Sequence, residues 1–391
     1  MRATTGLLLL AACGGTADPA VVTPSVTIIA TAPNTGTMTG SSSLDLAATR
    51  LGVTASGNPL AAIDGDLHEV IAETAIRRSL YAAPGDPTSM GAISSIAPRV
   101  AGGAWISAAS GLFMLDSLFV THVPIDVDAP TAVADAPSGP LAGLWIGAPT
   151  GLLHRRTDGH LERVGELAPT AIAIEPRGER ALILETSALT LLEAKDGEIF
   201  GSTPALEAGA IHGVAAGPGV LWAAAEGGLA MQQNGAWTLF TGAGAVLAVS
   251  ADATSGDAWA RTATQLIRAT TSGAISALAA PGAGDAIVVD GLGDAWATSG
   301  DRLARTSVGL SGVTFEADVR PWITQNCSSC HRGSTADFEV YAVFAERAEL
   351  ALARVRAGDM PRCNGGVICA EADRLDDYAV LESWIRRGKP Q

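Results

Sequence analysis

A nine-residue template recurs seven times between residues 59 and 303, and it constrains the fold of this chain more than any other feature. Each copy has an apolar residue, usually Trp, in second place and ends on a Leu seven positions later. Five copies carry Trp: AWISAASGL, LWIGAPTGL, LWAAAEGGL, AWARTATQL and AWATSGDRL. PLAAIDGDL and ALILETSAL carry Leu instead. The anchors are Leu60, Trp105, Trp145, Leu182, Trp222, Trp259 and Trp296, separated by 45, 40, 37, 40, 37 and 37 residues.

This spacing predicts a β-propeller, in which each repeat of about 40 residues forms one four-stranded blade. Asp-Gly pairs, such as the one in HRRTDGHLERV, mark the tight turns between neighbouring strands. A blade covers its apolar faces only against its neighbours, so the ring must close. We expect seven blades, with six as the alternative. The last copy is short after Leu303, and residues 44–56 are expected to supply its outer strand.

The repeats resemble those of bacterial propellers with LWIGT-type motifs, which occur in periplasmic sensors and secreted proteins. The resemblance implies the architecture and says little about activity. We therefore predict a mainly β fold with a small α domain. The propeller is expected over residues 44–310, followed by an all-α domain over residues 311–391.

A second feature, QNCSSCHRG (325–333), indicates a cofactor. In c-type haem attachment, two cysteines spaced like Cys327 and Cys330 bind the vinyl groups of one porphyrin, and the following His331 ligates the iron. A structural zinc site is an alternative, but it needs two further ligands, and the nearby Cys363 and Cys369 are spaced too widely for a zinc-ribbon knuckle. A thioredoxin-like pair would lie in a βαβ setting that this region lacks. An inert or disulfide-bonded cluster stays open as a third alternative.

Met360 is the candidate for the second axial ligand of such an iron, because Met often fills that place in electron-transfer haem proteins. It lies 29 residues after His331 in AGDMPRC, where Pro361 stiffens the turn. The alternative is that Met360 fills a gap in the core. The polar Gly-Asp-Met-Pro setting favours ligation.

The sequence around these residues predicts helices. Phe315, Val319, Trp322 and Ile323 share one helical face, and Pro321 is expected to kink this helix or to begin a new one. A second helix is expected from Asp373, its N-cap, to the last turn before Gly388. Its apolar face comprises Leu375, Tyr378, Leu381 and Ile385.

Residues 313–388 resemble a small class I-type cytochrome c domain. The matching pieces are FEADVRPWITQNCSSCH, the MP pair at 360–361 and the closing LESWIRRG. The resemblance implies one covalent haem c, attached to Cys327 and Cys330 and ligated by His331 and Met360. The pair Cys363 and Cys369 departs from the family pattern. We interpret it as a short disulfide loop that supports the Met turn, since maturation of haem c requires an oxidising compartment.

The N-terminus reads as an export signal. MRATTGLLLLAA has one basic residue, a short apolar run and small residues before Cys13. LAAC resembles a bacterial lipobox, which implies that residues 1–13 end at a lipidated Cys13, and Gly14 implies outer-membrane sorting. Residues 14–43, rich in Thr, Ser, Pro and Gly, are expected to form a flexible tether. Within it VTII reads as an isolated strand without a partner. No later run reaches the ~18 apolar residues of a membrane-spanning helix.

Composition and motifs exclude several function classes. The net charge of −15, most of it before residue 311, argues against nucleic acid and favours a basic or cationic partner, if it does more than solubilise. The motifs of zinc proteases, serine hydrolases and P-loop proteins are absent from the sequence. The propeller histidines are expected at the surface; they are His68, His122, His154, His160 and His212.

Three functions follow from these motifs. The first is a haem c electron-transfer lipoprotein, monomeric and held to the membrane by lipid alone, whose propeller docks an unidentified redox partner or a ligand. The second is an oxidoreductase in which the propeller holds a substrate or a quinone cofactor and passes electrons to the haem. The third is a propeller-based sensor with an accessory haem domain. The motifs favour the first.

Overall fold

The computed structural model describes residues 26–29, 41–71, 74–116, 118–186, 188–195, 198–204, 206–291, 293–306, 314–333 and 337–356, with 362–363, 367–368, 381, 384–385, 389 and 391. The described residues up to 306 form strands with one short 3-10 turn, Thr241–Ala243, and the remaining helices begin at residue 315. We call the described residues from 314 onward the helical unit.

Two strands precede the repeats, β1 (Val26–Ile29) and β2 (Ser41–Leu44). Seven four-stranded antiparallel blades then follow one another along the chain. The first three comprise β3 (Arg50–Val53), β4 (Pro59–Ile63), β5 (Asp66–Ile71) and β6 (Thr74–Tyr81); β7 (Ile93–Pro98), β8 (Ala104–Ala108), β9 (Gly111–Asp116) and β10 (Phe119–Val123); and β11 (Ala132–Ala136), β12 (Gly143–Ala148), β13 (Gly151–Arg155) and β14 (Leu161–Gly165).

The fourth to sixth blades repeat the same order of strands. They comprise β15 (Ala171–Ile174), β16 (Arg180–Glu185), β17 (Ala188–Lys195) and β18 (Glu198–Ser202); β19 (Ile211–Gly217), β20 (Val220–Ala225), β21 (Gly228–Gln233) and β22 (Ala236–Phe240); and β23 (Val246–Ala251), β24 (Ala258–Thr262), β25 (Gln265–Ala269) and β26 (Ile275–Ala279). The seventh blade has β27 (Ile287–Val289), β28 (Ala295–Ser299) and β29 (Arg302–Thr306), and β2 adds its outer strand.

The ring is closed, because the first strand of each blade contacts the first strand of the next, and β27 contacts β3. β2 pairs antiparallel with β29, with Ser41 opposite Thr306, so the seventh blade joins the two ends of the propeller. The backbone N–H of Gly291 also donates to Gly57 O at 2.8 Å across this junction. Seven blades are therefore confirmed. The outer strand comes from residues 41–44, so the expectation that residues 44–56 supply it was wrong. Arg50–Val53, within that stretch, is the inner strand of the first blade.

The seven anchors lie on the second strands and the seven Leu residues on the third strands of their blades. The second strand has neighbours on both faces, and β20 is buried along its whole length. Seven apolar clusters fill the propeller, one between each pair of adjacent blades, including the seventh and the first. Three anchor indoles donate Nε1–H to the following blade: Trp105 to Asp135 Oδ2 (3.0 Å), Trp222 to Gly256 O (2.9 Å) and Trp259 to Gly293 O (3.1 Å).

In three of the seven copies a glycine precedes the template Leu, where the third strand begins. Gly151 and Gly228 have φ values of +143° and +142°, which side chains rarely adopt. A Cβ at Gly228 would also clash with the carbonyl oxygen of Phe240 on the fourth strand. The glycine therefore allows the third and fourth strands to approach closely at this corner of the blade.

Two strand pairings depart from a regular propeller. β6 and β10 pair in parallel, which joins the outer edges of the first two blades into one eight-stranded sheet. β1 pairs in parallel with β22 and adds a fifth strand to the fifth blade. VTII, which we expected to lack a partner, therefore has one. Residues 26–29 and 41–43 of the expected tether belong to sheets, and the remainder of residues 14–43 lies outside the described residues.

The helical unit begins with a π-helical turn, Phe315–Val319, followed by α1 (Arg320–Asn326), α2 (Ser328–His331) and α3 (Tyr341–Arg356). Pro321 stands in the first turn of α1, where its fixed φ is favourable, so it begins a new helix, one of the two outcomes predicted. Two short strands, β30 (Arg362–Cys363) and β31 (Val367–Ile368), form a hairpin. Leu381, Trp384 and Ile385 are helical and buried.

Candidate functional site

The segment that carries the two cysteines begins with a well-capped turn. The Thr314 hydroxyl accepts a hydrogen bond from the N–H of Ala317 (3.2 Å), and the Asp318 carboxylate accepts one from the N–H of Thr314 (2.9 Å). These bonds satisfy backbone donors that a helix start leaves exposed. Phe315, Val319 and Ile323 are buried on the predicted face. The turn therefore fixes the direction in which the chain enters the motif.

Cys327 stands at the junction of α1 and α2. Its N–H donates to Ile323 O at 2.7 Å, and its own carbonyl accepts from the N–H of His331 at 3.1 Å. The CxxCH motif therefore folds as a helical turn, in which residues four apart lie on one side. Cys327 is partly buried against the apolar core of the helical unit.

Aromatic and aliphatic side chains together fill that core. Phe315 packs against three rings at centroid distances of 5.4 to 6.3 Å, and Phe344 stacks on Trp384 at 5.7 Å. α3 contributes Phe344, Ala348 and Leu352, all of which are buried. These residues belong to one apolar cluster, and Cys327 packs against it.

The imidazole of His331 lies face to face with the ring of Phe338. Their centroids are 4.1 Å apart and their planes differ by 4°. The N–H of Phe338 donates to His331 O at 3.1 Å, so backbone and side chain both join these residues. Phe338 in turn packs on Phe344 at 5.1 Å. The aromatic core therefore reaches the histidine of the motif.

Glu339 is the polar partner of the same turn. Its carboxylate accepts hydrogen bonds from Ser328 Oγ (2.6 Å), Thr324 Oγ1 (3.2 Å) and the guanidinium of Arg332 (2.7 and 2.9 Å). The Ser328 hydroxyl and then the Arg332 guanidinium hold the pKa of this carboxyl below its usual range, because both favour the anion. The carboxylate is therefore charged at neutral pH.

The structure brings Cys327 and His331 together on one turn. Outside the described residues are the side chain of Cys330 and the whole of Cys13, Met360 and Cys369. Cys363 pairs with Val367 in the β30–β31 hairpin through its backbone. Met90 and Met231 are buried in the propeller core and Met114 packs against it, which accounts for these three methionines as core residues.

Three residues beside the motif and one helix were not predicted from the sequence. α3 was not predicted, although Phe344, Ala348 and Leu352 recur at the four-residue spacing of one helical face. Asp337, Phe338 and Glu339 carried no recognisable pattern, because their partners become neighbours only after folding.

His154 corrects the expectation that the propeller histidines are at the surface. It is buried, stacks on Trp145 at 4.2 Å, and its Nε2 lies 3.0 Å from Ala142 O. Its Nδ1 lies 3.4 Å from the carboxylate of Glu162. His160 and His212 are exposed. His154 is therefore part of the third blade's packing.

Of the motif, the structure describes the side chains of Cys327 and His331, and their placement is the one that a covalently attached haem would need. Cys327 and His331 are one helical turn apart, and the adjoining wall is apolar and aromatic, as a porphyrin face requires. Among the described residues there is no group of three or more His, Cys, Asp or Glu side chains arranged to hold a metal ion. No helix within the described ranges has the length and apolarity needed to cross a membrane.

Several solved structures of other proteins share the propeller. A streptogramin B lyase matches 69% of this chain and 98% of its own length, with a TM-score of 0.52 and 11% identity. A catalytically inactive variant of virginiamycin B lyase from Staphylococcus aureus, solved with quinupristin, matches 69% of this chain and 99% of its own, with a TM-score of 0.53 and 13% identity. A complex of BBS1N with ARL6DN, soaked with lead, contains a chain that matches 72% of this one and is itself 95% covered, with a TM-score of 0.50 and 14% identity.

No family model matches the sequence, and no curated protein matches it. At 11 to 14% identity, the structural likeness shows the fold alone. The chain is thus similar to β-propeller proteins of different activities, and its fold is a β-propeller with a helical addition.

Proposed function

We propose that the chain is an exported electron-transfer protein that carries one covalent haem c in residues 311–391. The observation that supports this proposal is the folding of CxxCH as a helical turn beside an aromatic core, with Cys327 partly buried against that core. A motif of this spacing in a helical turn is what haem attachment requires. When bound, the haem supplies a one-electron iron couple.

Different residues of the helical unit would attach the haem, ligate its iron and exclude water from it. Cys327 and Cys330 bind the porphyrin through thioether links, and His331 presents its imidazole on the same side of the turn as Cys327. The rings of Phe315, Phe344 and Trp384 exclude water, which keeps the local dielectric low. Met360 is proposed as the second axial ligand.

The same proposal assigns the chain to an oxidising compartment, because covalent haem attachment takes place there. Cys363 and Cys369 then form a disulfide across the β30–β31 hairpin, and Cys13 carries the lipid that anchors the protein, in the outer membrane. Lipid chains hold a protein to a bilayer without a spanning helix.

The propeller is proposed as the docking platform for a redox partner. Most of the net charge of −15 belongs to residues before 311, so a basic partner protein would be attracted to it. The activities printed for the similar lyases are not assigned to this chain, since the likeness covers the fold alone.

The haem test uses the full chain matured in a host with a c-haem assembly system. Wild type is expected to keep its haem through denaturing electrophoresis, and Cys327→Ala with Cys330→Ala is expected to abolish the haem stain. Met360→Ala should keep the stain but lose the long-wavelength charge-transfer band of sulfur-ligated ferric iron and lower the potential. Met231→Ala is the matched control, since Met231 is buried in the propeller. Haem that leaves the denatured wild type would overturn the proposal.

The anchor is tested separately by Cys13→Ser. The variant is expected to move from the membrane fraction to the soluble fraction after cell lysis, because the lipid attachment residue is gone. Fractionation and immunoblotting measure the change. A variant that sediments with membranes as wild type does would contradict lipid anchoring while leaving the haem proposal intact.

A further inference from the structure

We infer that Asp337, Phe338 and Glu339 are positioning residues that lock the haem-binding turn and fix the ring plane of His331. This inference rests on the proposed function. It adds three consecutive residues that no motif includes, each of which holds a different part of the turn.

Glu339 spans the turn from one end to the other. Its three donors are Thr324 in α1, Ser328 between the two cysteines, and Arg332 directly after the histidine. Ser328 is buried, so without Glu339 its hydroxyl would lose a 2.6 Å acceptor in a water-poor place. One carboxylate therefore ties the residues before, within and after CxxCH.

Phe338 acts on the ligand itself. With its ring parallel to the imidazole at 4.1 Å, rotation of the His331 ring about its Cβ–Cγ bond would drive ring atoms into Phe338. Phe338 cannot retreat freely, because Phe344 packs on it at 5.1 Å and Phe344 is fully buried. The hydrogen bond from Phe338 N to His331 O fixes the backbone of the pair as well.

Asp337 holds the other two residues in place. Its Oδ2 accepts from the N–H of Gly333 (2.9 Å) and its Oδ1 accepts from the N–H of Glu339 (3.0 Å). The Asp337 carboxylate thus connects Gly333, which follows the motif, to Glu339. This bridge brings Phe338 and Glu339 back against the turn that precedes them in sequence.

The consequence for a bound haem is a defined orientation of the axial imidazole. Residues that contact a metal ligand, and not the metal itself, fix the orientation of that ligand. Their loss typically lowers metal affinity by about 10- to 100-fold. In a ferric low-spin haem, the imidazole plane sets how unpaired spin spreads over the porphyrin. The paramagnetic shifts of the haem methyl protons therefore report this plane directly.

The first experiment compares haem methyl shifts in the matured ferric protein. Phe338→Leu should alter the pattern of the four methyl shifts, and Phe338→Tyr should restore it, because Tyr keeps the stacked ring. Glu339→Ala should also alter the pattern and reduce the yield of haem-loaded protein, whereas Glu339→Gln should do so less, since its amide oxygen still accepts from Ser328. Phe200→Leu and Glu316→Gln are the controls, being an exposed ring in the propeller and an exposed carboxylate paired with Arg320.

A second measurement needs no haem. In the full chain produced without haem maturation and labelled at histidine, the Phe338 ring current should move the His331 ring protons upfield, and Phe338→Leu should remove that shift. Haem methyl shifts of Phe338→Leu and Glu339→Ala that match those of wild type would overturn the proposed positioning role. A wild type without covalent haem would overturn the proposed function, while the ring-current shift would still decide whether the stack exists.

Discussion

The propeller and the helical unit bury apolar surface in different ways. The propeller divides its core into seven clusters, each shared by two neighbouring blades. The helical unit has a single cluster, centred on Phe315, Phe344 and Trp384. The propeller repeats one kind of contact between neighbouring blades, whereas the helical unit depends on one cluster that includes Phe344, which packs on Phe338 beside His331. The repeated pattern therefore identifies the fold from the sequence, and the single cluster of the helical unit lies beside the CxxCH motif.

The largest expected effect comes from removing one buried indole from each region. Trp222→Ala should lower the free energy of unfolding of the propeller by about 3–5 kcal/mol, the usual cost of deleting a buried Trp, and its Nε1 bond to Gly256 is lost as well. Trp384→Ala should cost a similar amount, but a small domain is stable by only about 5 kcal/mol. The helical unit of that variant should therefore unfold.

Hydrogen exchange followed by mass spectrometry distinguishes the two outcomes region by region. We expect Trp384→Ala to lose protection in residues 314–356 while the blades stay protected, and Trp222→Ala to stay folded in both regions at room temperature. Loss of protection throughout the chain in Trp384→Ala would show that the two regions do not unfold independently.

A smaller loss of stability is expected when the glycine that precedes a template Leu is replaced. Gly228→Ala should destabilise the propeller by about 2–3 kcal/mol, because the residue combines an unfavourable φ with a clash against Phe240 O. Gly219→Ala is the matched control, with a φ of +70° and open space around its Cβ, and should cost about 1 kcal/mol. Urea unfolding measures both. Equal losses would mean that backbone strain, and not close strand approach, explains the template glycine.

The smallest expected effect is a difference in acid sensitivity. Burial holds the pKa of His68 in the first blade below its ordinary value of 6.5, with Asp66 opposing and Arg77 adding to the shift. The unfolded chain therefore binds a proton here before the folded chain does, so this stabilisation is complete above about pH 6.5 and is lost as pH falls through the lowered pKa. Glu339 in the helical unit follows the same sign from a usual value of 4.5.

Acid titration of the two regions tests this order. On acidification the propeller should begin to lose stability near pH 6.5, and His68→Gln should remove that step. The Glu339 contribution should be lost only below about pH 4.5. The unfolding midpoint in urea, measured at several pH values with hydrogen exchange to assign the region, gives the comparison. A wild-type propeller whose stability stays constant on acidification through the ordinary His range would contradict the assignment to His68.

The propeller was largely predictable because its decisive residues repeat. Trp222 and Leu229 fell on their strands because the apolar template recurs at a fixed period. The strand Ser41–Leu44 was misplaced, since SSSL has no apolar alternation and its pairing with β29 is a contact between distant parts of the chain. His154 was misjudged because its burial depends on stacking against Trp145, a neighbour set by strand register.

The helical unit was predictable at its motif and not around it. CxxCH and the face of Phe315, Val319 and Ile323 depend on local spacing, which a sequence shows directly. The bonds from Thr324, Ser328 and Arg332 to Glu339 depend on residues 337–339 lying against the motif, which local spacing does not show. Residues 337–339 are ordinary in composition, so their role follows only from the three-dimensional structure.

The pairing of Ser41 with Thr306 has a consequence for how this chain is assembled from parts. Entry to the ring and exit from it are opposite residues on adjacent strands, about 5 Å apart in the Cα positions of such pairs. Residues 41–306 therefore begin and end on neighbouring strands, and among the described residues before them only β1 also pairs with a blade. Such a layout suits circular permutation: a chain cut at the exposed Gly159 turn, with residues 41 and 306 joined by a short linker, would keep all seven blades and lose only β1, the fifth strand of the fifth blade.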